Sequence, residues 1–217
     1  MRIKEVYLLS NDLQQTESFY HDILGLSVVR KEKNNLAFSL GASTLIFQHS
    51  ELAKPYYHLA FDIPNNQLKE AYEALNKKVR ILPVTSESQF AHFESWNAKS
   101  FYFYDNNGNL LELIARYDLS NASAQTFDPS SLLAISEIGL VTENVTRSIE
   151  QLTEQFDLPL FAKQTPQENF AALGDEQGLL ILVSPERNWF PTDKKAKVFP
   201  THVLLEDQGK VHEISLN

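Results

Sequence analysis

The chain has 217 residues, of which 43% are hydrophobic and 11% aromatic, so it can form one large packed domain or two smaller ones. Its net charge of −9, without a basic patch among aromatics, argues against binding to nucleic acid or to an anionic membrane surface. The chain contains no cysteine, so disulfides and thiolate chemistry are excluded, and a metal would need His and carboxylate ligands.

The amino-terminal stretch and the apolar runs bear on localisation. Residues 1–6 lead directly into a strand-like pattern, without the apolar core of a signal peptide. No apolar run approaches the roughly 18 residues that a membrane-spanning helix needs. We therefore expect a soluble, cytoplasmic protein.

The first structural unit is predicted within residues 3–48. Residues 3–10 have the pattern of a strand, and Asp12 is placed to cap a helix that ends at Gly25. Three further strands are predicted, at 26–30, 35–40 and 43–48. The order of elements is therefore βαβββ.

The same order of elements then begins again. A strand is predicted at 56–63 and a helix at 68–75, and a polar turn at 105–108 joins the last two strands of the unit. The four strands after the helix are predicted at 79–84, 89–94, 100–104 and 110–115. Residues 118–131 are rich in Ser, Asn and Asp and lack periodicity, which is typical of a linker.

An internal repeat follows this linker. Glu5 and Glu137 are 132 residues apart, and the same offset aligns Leu8 with Leu140 and Leu26 with Leu158 without gaps. After a short helix, the third unit continues with strands predicted at 160–163, 169–173 and 179–183. Two last strands, predicted at 201–206 and 210–216, would form a fourth unit that lacks its helix and middle strands.

Comparison of the units singles out a few polar positions. The first strand of each unit opens with a polar residue before an apolar stretch, and these residues are Glu5, His58, Glu137 and His202. In the last strands, Glu112 aligns with Ile46 of the first unit and Ile181 of the third. A position that holds Ile twice favours an apolar interior, so we expect the Glu112 carboxylate to point inward, where it needs a partner or a cation.

These segments resemble a known family. The sequences EVYLLSNDL (5–13), HLAFD (58–62) and FYFYDNNGNLLEL (101–113) are similar to those of the vicinal oxygen chelate superfamily. It includes glyoxalase I, fosfomycin- and bleomycin-resistance proteins and type I extradiol ring-cleaving dioxygenases. The resemblance covers 1–117 well and 132–184 moderately. It implies an α+β fold in which tandem βαβββ units form open, curved mixed sheets around a divalent metal.

The resemblance also implies a domain organisation. Residues 1–117 would form a complete metal cup from two units, and 118–131 would be a linker. Residues 132–217 would form a second, truncated glyoxalase-like domain. This second domain would either pack on the first or support a homodimer.

In this family the metal ligands come from the first strands of two paired units and from a last strand. The matching residues are Glu5, His58 and Glu112, while Ile46 occupies a fourth position and cannot bind a metal. Three ligands would leave coordination sites for substrate oxygens on one divalent ion, Fe²⁺, Mn²⁺, Ni²⁺ or Zn²⁺. Glu137, His202 and Glu213 could make a second, degenerate trio in the carboxy-terminal half.

The most specific function that the resemblance implies is an extradiol dioxygenase acting on a small aromatic substrate with vicinal oxygens. Residues 101–112 match the signature of those enzymes, except that Asn106 replaces a proline. Tyr102 and His92 are then the candidate acid–base residues. Glu5 stands where those enzymes have His, and a second carboxylate favours Mn²⁺ or Mg²⁺ over Fe²⁺.

Three other functions remain open at this stage. The protein could be a glyoxalase-like lyase or isomerase, or a metal-free small-molecule binding protein of the bleomycin-resistance type. It could also be a scaffold that kept the ligand positions by descent alone.

Overall fold

The structure, a computed structural model, describes residues 1–52 and 54–216. The strands are β1 (Arg2–Ser10), β2 (Ser27–Lys31), β3 (Asn35–Leu40), β4 (Ser43–His49), β5 (His58–Asp62), β6 (Ala91–Phe93), β7 (Ala98–Tyr104), β8 (Leu110–Arg116), β9 (Ala134–Val141), β10 (Phe170–Asp175), β11 (Gly178–Val183), β12 (Thr201–Asp207) and β13 (Lys210–Leu216). The helices are α1 (Leu13–Glu17), which continues as a π-helix (Ser18–Ile23), α2 (Leu68–Leu75) and α3 (Val145–Phe156), with a 3₁₀ turn at Pro129–Ser131. The α+β class and the repeated βαβββ order predicted from the sequence are confirmed.

The local reasons for the helices agree with the sequence. The Asp12 side chain accepts a hydrogen bond from the backbone N–H of Gln15 and caps α1, and Asn144 caps α3 in the same way at the equivalent position of the repeat. Gly25 has a φ of 76°, the left-handed conformation that glycine tolerates best, and it ends the π-helical turn.

Two of the predicted strands do not form, and the predicted linker is packed against the protein. Residues 79–84 and 160–163 do not form strands. Each contributes one isolated bridge, from Ile81 to Phe103 and from Leu160 to Leu173. Residues 118–131 are held to the domain, since the Asn121 side chain accepts from the backbone N–H of Asn65 and donates to Asp62. This segment is therefore packed against the second unit.

The strands form two mixed sheets. Six strands lie in the order β13-β12-β1-β4-β3-β2, and seven lie in the order β10-β11-β9-β5-β8-β7-β6. We call the second the site sheet. In each sheet the first strands of two units pair antiparallel, β1 with β12 and β5 with β9.

The pairing of units differs from the expected one. We expected residues 1–117 to form a complete metal cup from the first two units, but the first unit pairs with the last two strands, and the second unit pairs with the third. The site sheet therefore combines the second unit, residues 58–116, with the third, residues 134–183, which has two strands after its helix. All first strands carry a similar pattern of polar and apolar residues, so this pattern does not specify which first strands pair with each other.

The core has two parts. The larger part joins both sheets and the helices, and Val6, Phe61, Ile138 and Val203 are fully buried in it. A smaller part includes Ala60, Tyr102, Ile181 and Trp189, whose side chains belong to the site sheet and the segment that follows β11. The candidate site lies in this smaller part.

Candidate metal centre

Three neighbouring strands of the site sheet bring two glutamates and a histidine together. Ala60 of β5 pairs with Glu112 of β8 on one side and with Glu137 of β9 on the other, so both carboxylates project from the same face as Ala60. His58 lies two residues before Ala60 on β5 and therefore projects from that face as well. One ligand atom from each of His58, Glu112 and Glu137 lies within 4.8 Å of the others.

All three side chains are almost completely removed from solvent. His58 is 7% exposed, Glu112 2% and Glu137 4%. In residues 1–52 and 54–216 this is the one group of three or more His and acidic side chains that converge in this way. Buried carboxylates without compensation are costly, so the arrangement requires a positive partner.

His58 is held in the tautomer that metal ligation needs. Its Nδ1 lies 3.1 Å from the carbonyl oxygen of Leu110, which only accepts, so Nδ1 carries the proton and donates it. Nε2 then has a free lone pair and lies 3.5 Å from Oε2 of Glu112. Burial lowers the pKa of His58 to about 4, so the ring is neutral at physiological pH.

Glu112 is destabilised as an anion. Burial, together with the charge of Glu137, raises the pKa of Glu112 to about 8. Within the described part of the chain, its Oε1 is buried without a hydrogen-bond donor. This oxygen is therefore a buried acceptor whose cost a cation would offset.

Glu137 forms a buried ion pair with Arg116. Arg116 lies four residues after Glu112 on β8 and is fully buried. Its Nη2 donates a hydrogen bond to Oε1 of Glu137, and its Nε donates to Oγ of Ser136 at 3.0 Å. Burial raises the pKa of Glu137, whereas Arg116 acts in the opposite direction. Arg116 occupies only Oε1, so Oε2 is left for a second cation.

Two small residues make room beside the trio. Ala60 separates the two carboxylates without filling the space between them. Gly139, two residues after Glu137, is covered by the ring of Trp189, and a side chain at this position would collide with that ring. Trp189 thereby reaches the site, with its ring centre 5.2 Å from that of His58.

The trio lies at the inner end of a cavity of about 280 Å³. Phe93, Trp96, Phe170 and Phe190 contribute aromatic walls, and Ile181 contributes an aliphatic one. Polar side chains, among them Gln164, Gln167 and Asn188, complete the lining, and a concave site that combines aromatic walls with polar groups is suited to a small molecule.

The structure corrects one member of the predicted ligand set. His58 and Glu112 lie together as expected, and Glu112 points inward as the comparison with Ile46 and Ile181 indicated. Glu5 lies on β1 in the other sheet, where its Oε2 accepts a hydrogen bond from the Tyr7 hydroxyl at 2.6 Å. Glu137 takes the place beside His58 that we assigned to Glu5.

The equivalent place in the six-stranded sheet is filled. There Tyr7 pairs with Ile46 on one side and His202 on the other, as Ala60 pairs with Glu112 and Glu137. The Tyr7 ring contacts His202 with ring centres 4.7 Å apart and occupies the space that Ala60 leaves open. The second trio of Glu137, His202 and Glu213 does not form, because Glu137 belongs to the other sheet.

The two predicted acid–base residues have different surroundings. Tyr102 pairs with Glu112, is buried and lines the cavity. Burial and the charge of Glu112 raise its pKa well above the ordinary value, so its hydroxyl keeps its proton. His92 is exposed and lies in a different surface depression, with Lys99 and Tyr117. Because neighbouring residues of a strand face opposite sides, Phe93 reaches the cavity and His92 does not.

These placements predict that substitution of His92 has little effect on activity and that substitution of Tyr102 has a large one. Replacing His92 by Ala should change kcat and KM less than about twofold, since its side chain is remote from the cavity. Replacing Tyr102 by Phe should lower kcat on the order of 100-fold with unchanged metal content, because it removes the hydroxyl that lies beside Glu112 in the cavity. Steady-state kinetics with metal analysis of both variants measures this; a large loss with His92→Ala would contradict the geometry.

Glu137 could have been found in the sequence. Its offset of 132 residues from Glu5 makes the two residues equivalent, and both open a first strand. Two residues after the polar residue that opens the first strand, the second and third units have the small residues Ala60 and Gly139, whereas the first unit has Tyr7. This difference in size was the available signal for an open site.

Sequence comparison finds relatives of this chain among the metallothiol transferases. The chain is 32% identical over 114 residues to the metallothiol transferase FosB of Staphylococcus haemolyticus, covering 77% of that protein and 49% of this chain. FosB of Staphylococcus epidermidis is also 32% identical over 114 residues, with the same coverage. No protein-family model matches the chain.

Solved structures share the fold over most of the chain. A candidate dioxygenase from Bacillus subtilis superimposes with a TM-score of 0.62 and 18% identity over 84% of this chain and 63% of its own. Glyoxalase I from Zea mays superimposes with a TM-score of 0.56 and 20% identity over 88% of this chain and 69% of its own.

Paired βαβββ units around a buried His-Glu-Glu group define a protein of the glyoxalase, fosfomycin-resistance and dioxygenase type. Together with the identity to the FosB relatives, they show that the chain belongs to the vicinal oxygen chelate superfamily. In the described part of the chain, none of the helices has both the length and the apolar character to cross a membrane.

Proposed function

We propose that the protein is a divalent-metal-dependent enzyme acting on a small molecule with two adjacent oxygen atoms. The observation that carries the proposal is the convergence of His58, Glu112 and Glu137 at the inner end of an aromatic-walled cavity. The donor set fits a metal, because His58 offers a free Nε2 lone pair and Glu112 offers an oxygen without a donor among the described residues.

A divalent ion held by these three residues would act as a Lewis acid toward substrate oxygens and stabilise negative charge that develops on them. The protein supplies the remaining functions. Arg116 orients Glu137 through Oε1, and the backbone carbonyl of Leu110 orients His58. Trp189 and the aromatic walls limit access of water to the inner end.

Tyr102 is the candidate for proton transfer. It stands beside Glu112 in the sheet and keeps its hydroxyl proton, so it can donate a hydrogen bond or a proton to an oxygen bound near the trio.

Two carboxylates and one imidazole form a hard donor set, which favours Mn²⁺ or Mg²⁺ and chemistry without a change of oxidation state. Isomerisation, lyase chemistry or addition of a thiol are reactions of this kind, and the relatives named metallothiol transferases favour testing the last.

The proposal is tested with chelator-treated protein. We expect one equivalent of Mn²⁺, Ni²⁺ or Zn²⁺ to bind by calorimetry. Turnover of α-keto-aldehyde–thiol adducts, or of a thiol with an electrophilic phosphonate, should require that metal. A protein that binds no divalent ion above background, or turnover that is unchanged by the chelator, would contradict the proposal.

Ring cleavage by a dioxygenase is the second candidate. It is favoured by the match of residues 101–112 to the extradiol signature and by the aromatic walls of the cavity. Anaerobically loaded Fe²⁺ protein should then consume one O₂ per catechol cleaved, as measured with an oxygen electrode. No O₂ uptake with a panel of catechols would leave the non-redox reactions as the function.

Metal binding should depend on pH. Glu112 must lose its proton to bind a cation, so metal affinity should increase as pH rises toward 8, and binding at pH 7 should release a proton. Calorimetry in buffers of different ionisation enthalpy measures the release. The Glu112→Gln variant, which has no proton to lose here, is the control, and equal proton release by both proteins would contradict the assignment.

The same raised pKa has a consequence for the metal-free protein. The folded state holds the Glu112 proton up to about pH 8, whereas an unfolded chain loses it near 4.5, so the free energy of unfolding should decrease between these values. Burial also raises the pKa of Asp62 to about 7, which gives a slope of the same sign. Urea denaturation of Asp62→Asn and of Asp62→Asn/Glu112→Gln separates the two contributions.

A further inference from the structure

The segment between β11 and β12 forms one side of the cavity. Residues 184–200 contain neither a helix nor a strand in the structure, and they connect β11 of the third unit to β12. Arg187, Asn188, Trp189 and Phe190 of this segment all line the cavity. The segment is therefore placed to contact whatever the cavity binds.

Exposure separates the inner end of the cavity from its entrance. His58, Glu112 and Glu137 are buried, whereas Gln167 and Asn188 are exposed and Arg187 is partly exposed. Aromatic side chains lie between the two ends, and the ring centres of Tyr102 and Phe190 are 5.8 Å apart. A ligand that reaches the trio would extend past these rings toward Arg187.

Arg187 is held in place without a compensating charge. Its guanidinium lies over the Phe170 ring, 4.5 Å from the ring centre, and its Nη1 donates to Oδ1 of Asn169 at 3.4 Å. It forms no ion pair with a carboxylate anywhere in residues 1–52 and 54–216. Of the described side chains that line the cavity, it is the one Lys or Arg.

An unpaired arginine is the unusual feature of this entrance, because the protein as a whole has a net charge of −9. Guanidinium groups present a planar set of donors that matches a carboxylate, and stacking on an aromatic ring limits the entropy lost on binding. A divalent ion on the trio would also offset its two carboxylates, so an anionic ligand would not be repelled from the inner end.

We propose that Arg187 determines specificity by binding a carboxylate at the far end of the ligand. The ligand class is a flat, largely apolar acid with two adjacent oxygens at the end that reaches His58, Glu112 and Glu137. This inference rests on the proposed function, since it takes the trio as the site of the vicinal oxygens.

The test uses two probes that differ in one group. 3,4-Dihydroxybenzoate and 3,4-dihydroxybenzamide have the same ring, the same vicinal oxygens and similar size, and only the first carries a negative charge. Binding to the Mn²⁺-loaded protein is measured by calorimetry. Tryptophan fluorescence provides a second readout, because both tryptophans of the chain, Trp96 and Trp189, line the cavity.

We expect the acid to bind at least about 10-fold more tightly than the amide, as a charge-assisted hydrogen bond permits. Arg187→Gln should reduce this ratio to near one without changing the affinity for the amide or for Mn²⁺. Arg187→Lys keeps the charge but loses the planar donors, and it should keep part of the preference. Arg147→Gln, on the exposed surface of α3, is the matched control and should keep all of it.

The outcomes distinguish this inference from the proposed function. Equal affinities of acid and amide, or an unchanged preference in Arg187→Gln, would overturn the role of Arg187 and leave the metal site intact. If neither probe binds the Mn²⁺-loaded protein or changes its tryptophan fluorescence, this inference is overturned, whereas the proposed function fails only if the protein binds no divalent ion or if turnover is unchanged by the chelator.

Discussion

Replacing Glu112 by Gln should lower the affinity for divalent metal on the order of 100-fold or more, because it removes one of two charged ligands while keeping the shape of the side chain. The same substitution should stabilise the metal-free protein above pH 8. There Glu112 and Glu137 are both charged and buried side by side, and the neutral amide removes that repulsion. Calorimetric titration with Mn²⁺ and thermal unfolding measure the two effects.

The matched control is Glu5→Gln. Glu5 opens the equivalent strand of the first unit, but it lies in the other sheet and its carboxylate accepts from Tyr7. Its substitution should leave metal affinity unchanged. A loss of metal binding in Glu5→Gln, or equal affinities of the parent protein and Glu112→Gln, would show that the trio described above is not the metal site.

Replacing Arg116 by Met should destabilise the metal-free protein by about 3–5 kcal/mol, because Glu137 would remain buried without a positive partner. A bound divalent ion would supply part of the missing charge. The stabilisation gained on adding saturating Mn²⁺ should therefore be larger in Arg116→Met than in the parent protein. Urea denaturation with and without Mn²⁺ gives both quantities.

Two further variants make this prediction specific. In Arg116→Met/Glu137→Gln no charge remains unpaired, so most of the lost stability should return while metal binding is lost. Arg116→Lys keeps the positive charge and should remain folded if Arg116→Met does not. If the double variant is no more stable than Arg116→Met, the loss comes from packing against Trp96, over which the guanidinium lies at 5.6 Å, and not from the ion pair.

The two sheets show how a repeat can keep a site in one place and lose it in another. Both sheets pair first strands antiparallel with the same register. In the site sheet Ala60 lies between Glu112 and Glu137, and in the six-stranded sheet Tyr7 lies between Ile46 and His202. Ala60 leaves the space open, whereas Tyr7 fills it and Ile46 replaces the acid. A larger side chain at Ala60 should therefore block the metal site.

The sequence by itself determined the repeated βαβββ order, the caps of α1 and α3, and the inward direction of Glu112. These features depend on local spacing and on comparison of equivalent positions, and both are present in the chain. Comparison of the first strands, together with the family resemblance, also singled out His58, and the resemblance of residues 101–112 to the extradiol signature singled out Tyr102; both line the cavity.

Only the tertiary structure decided that Glu137, and not Glu5, joins His58 and Glu112. The four first strands carry similar patterns, and the pairing of β5 with β9 depends on packing between units that are distant in the sequence. The same holds for Arg116, Trp189 and Arg187, whose roles come from contacts across the sheet and from an irregular segment. Periodicity encodes the face of a strand, but it does not encode which strand lies beside it.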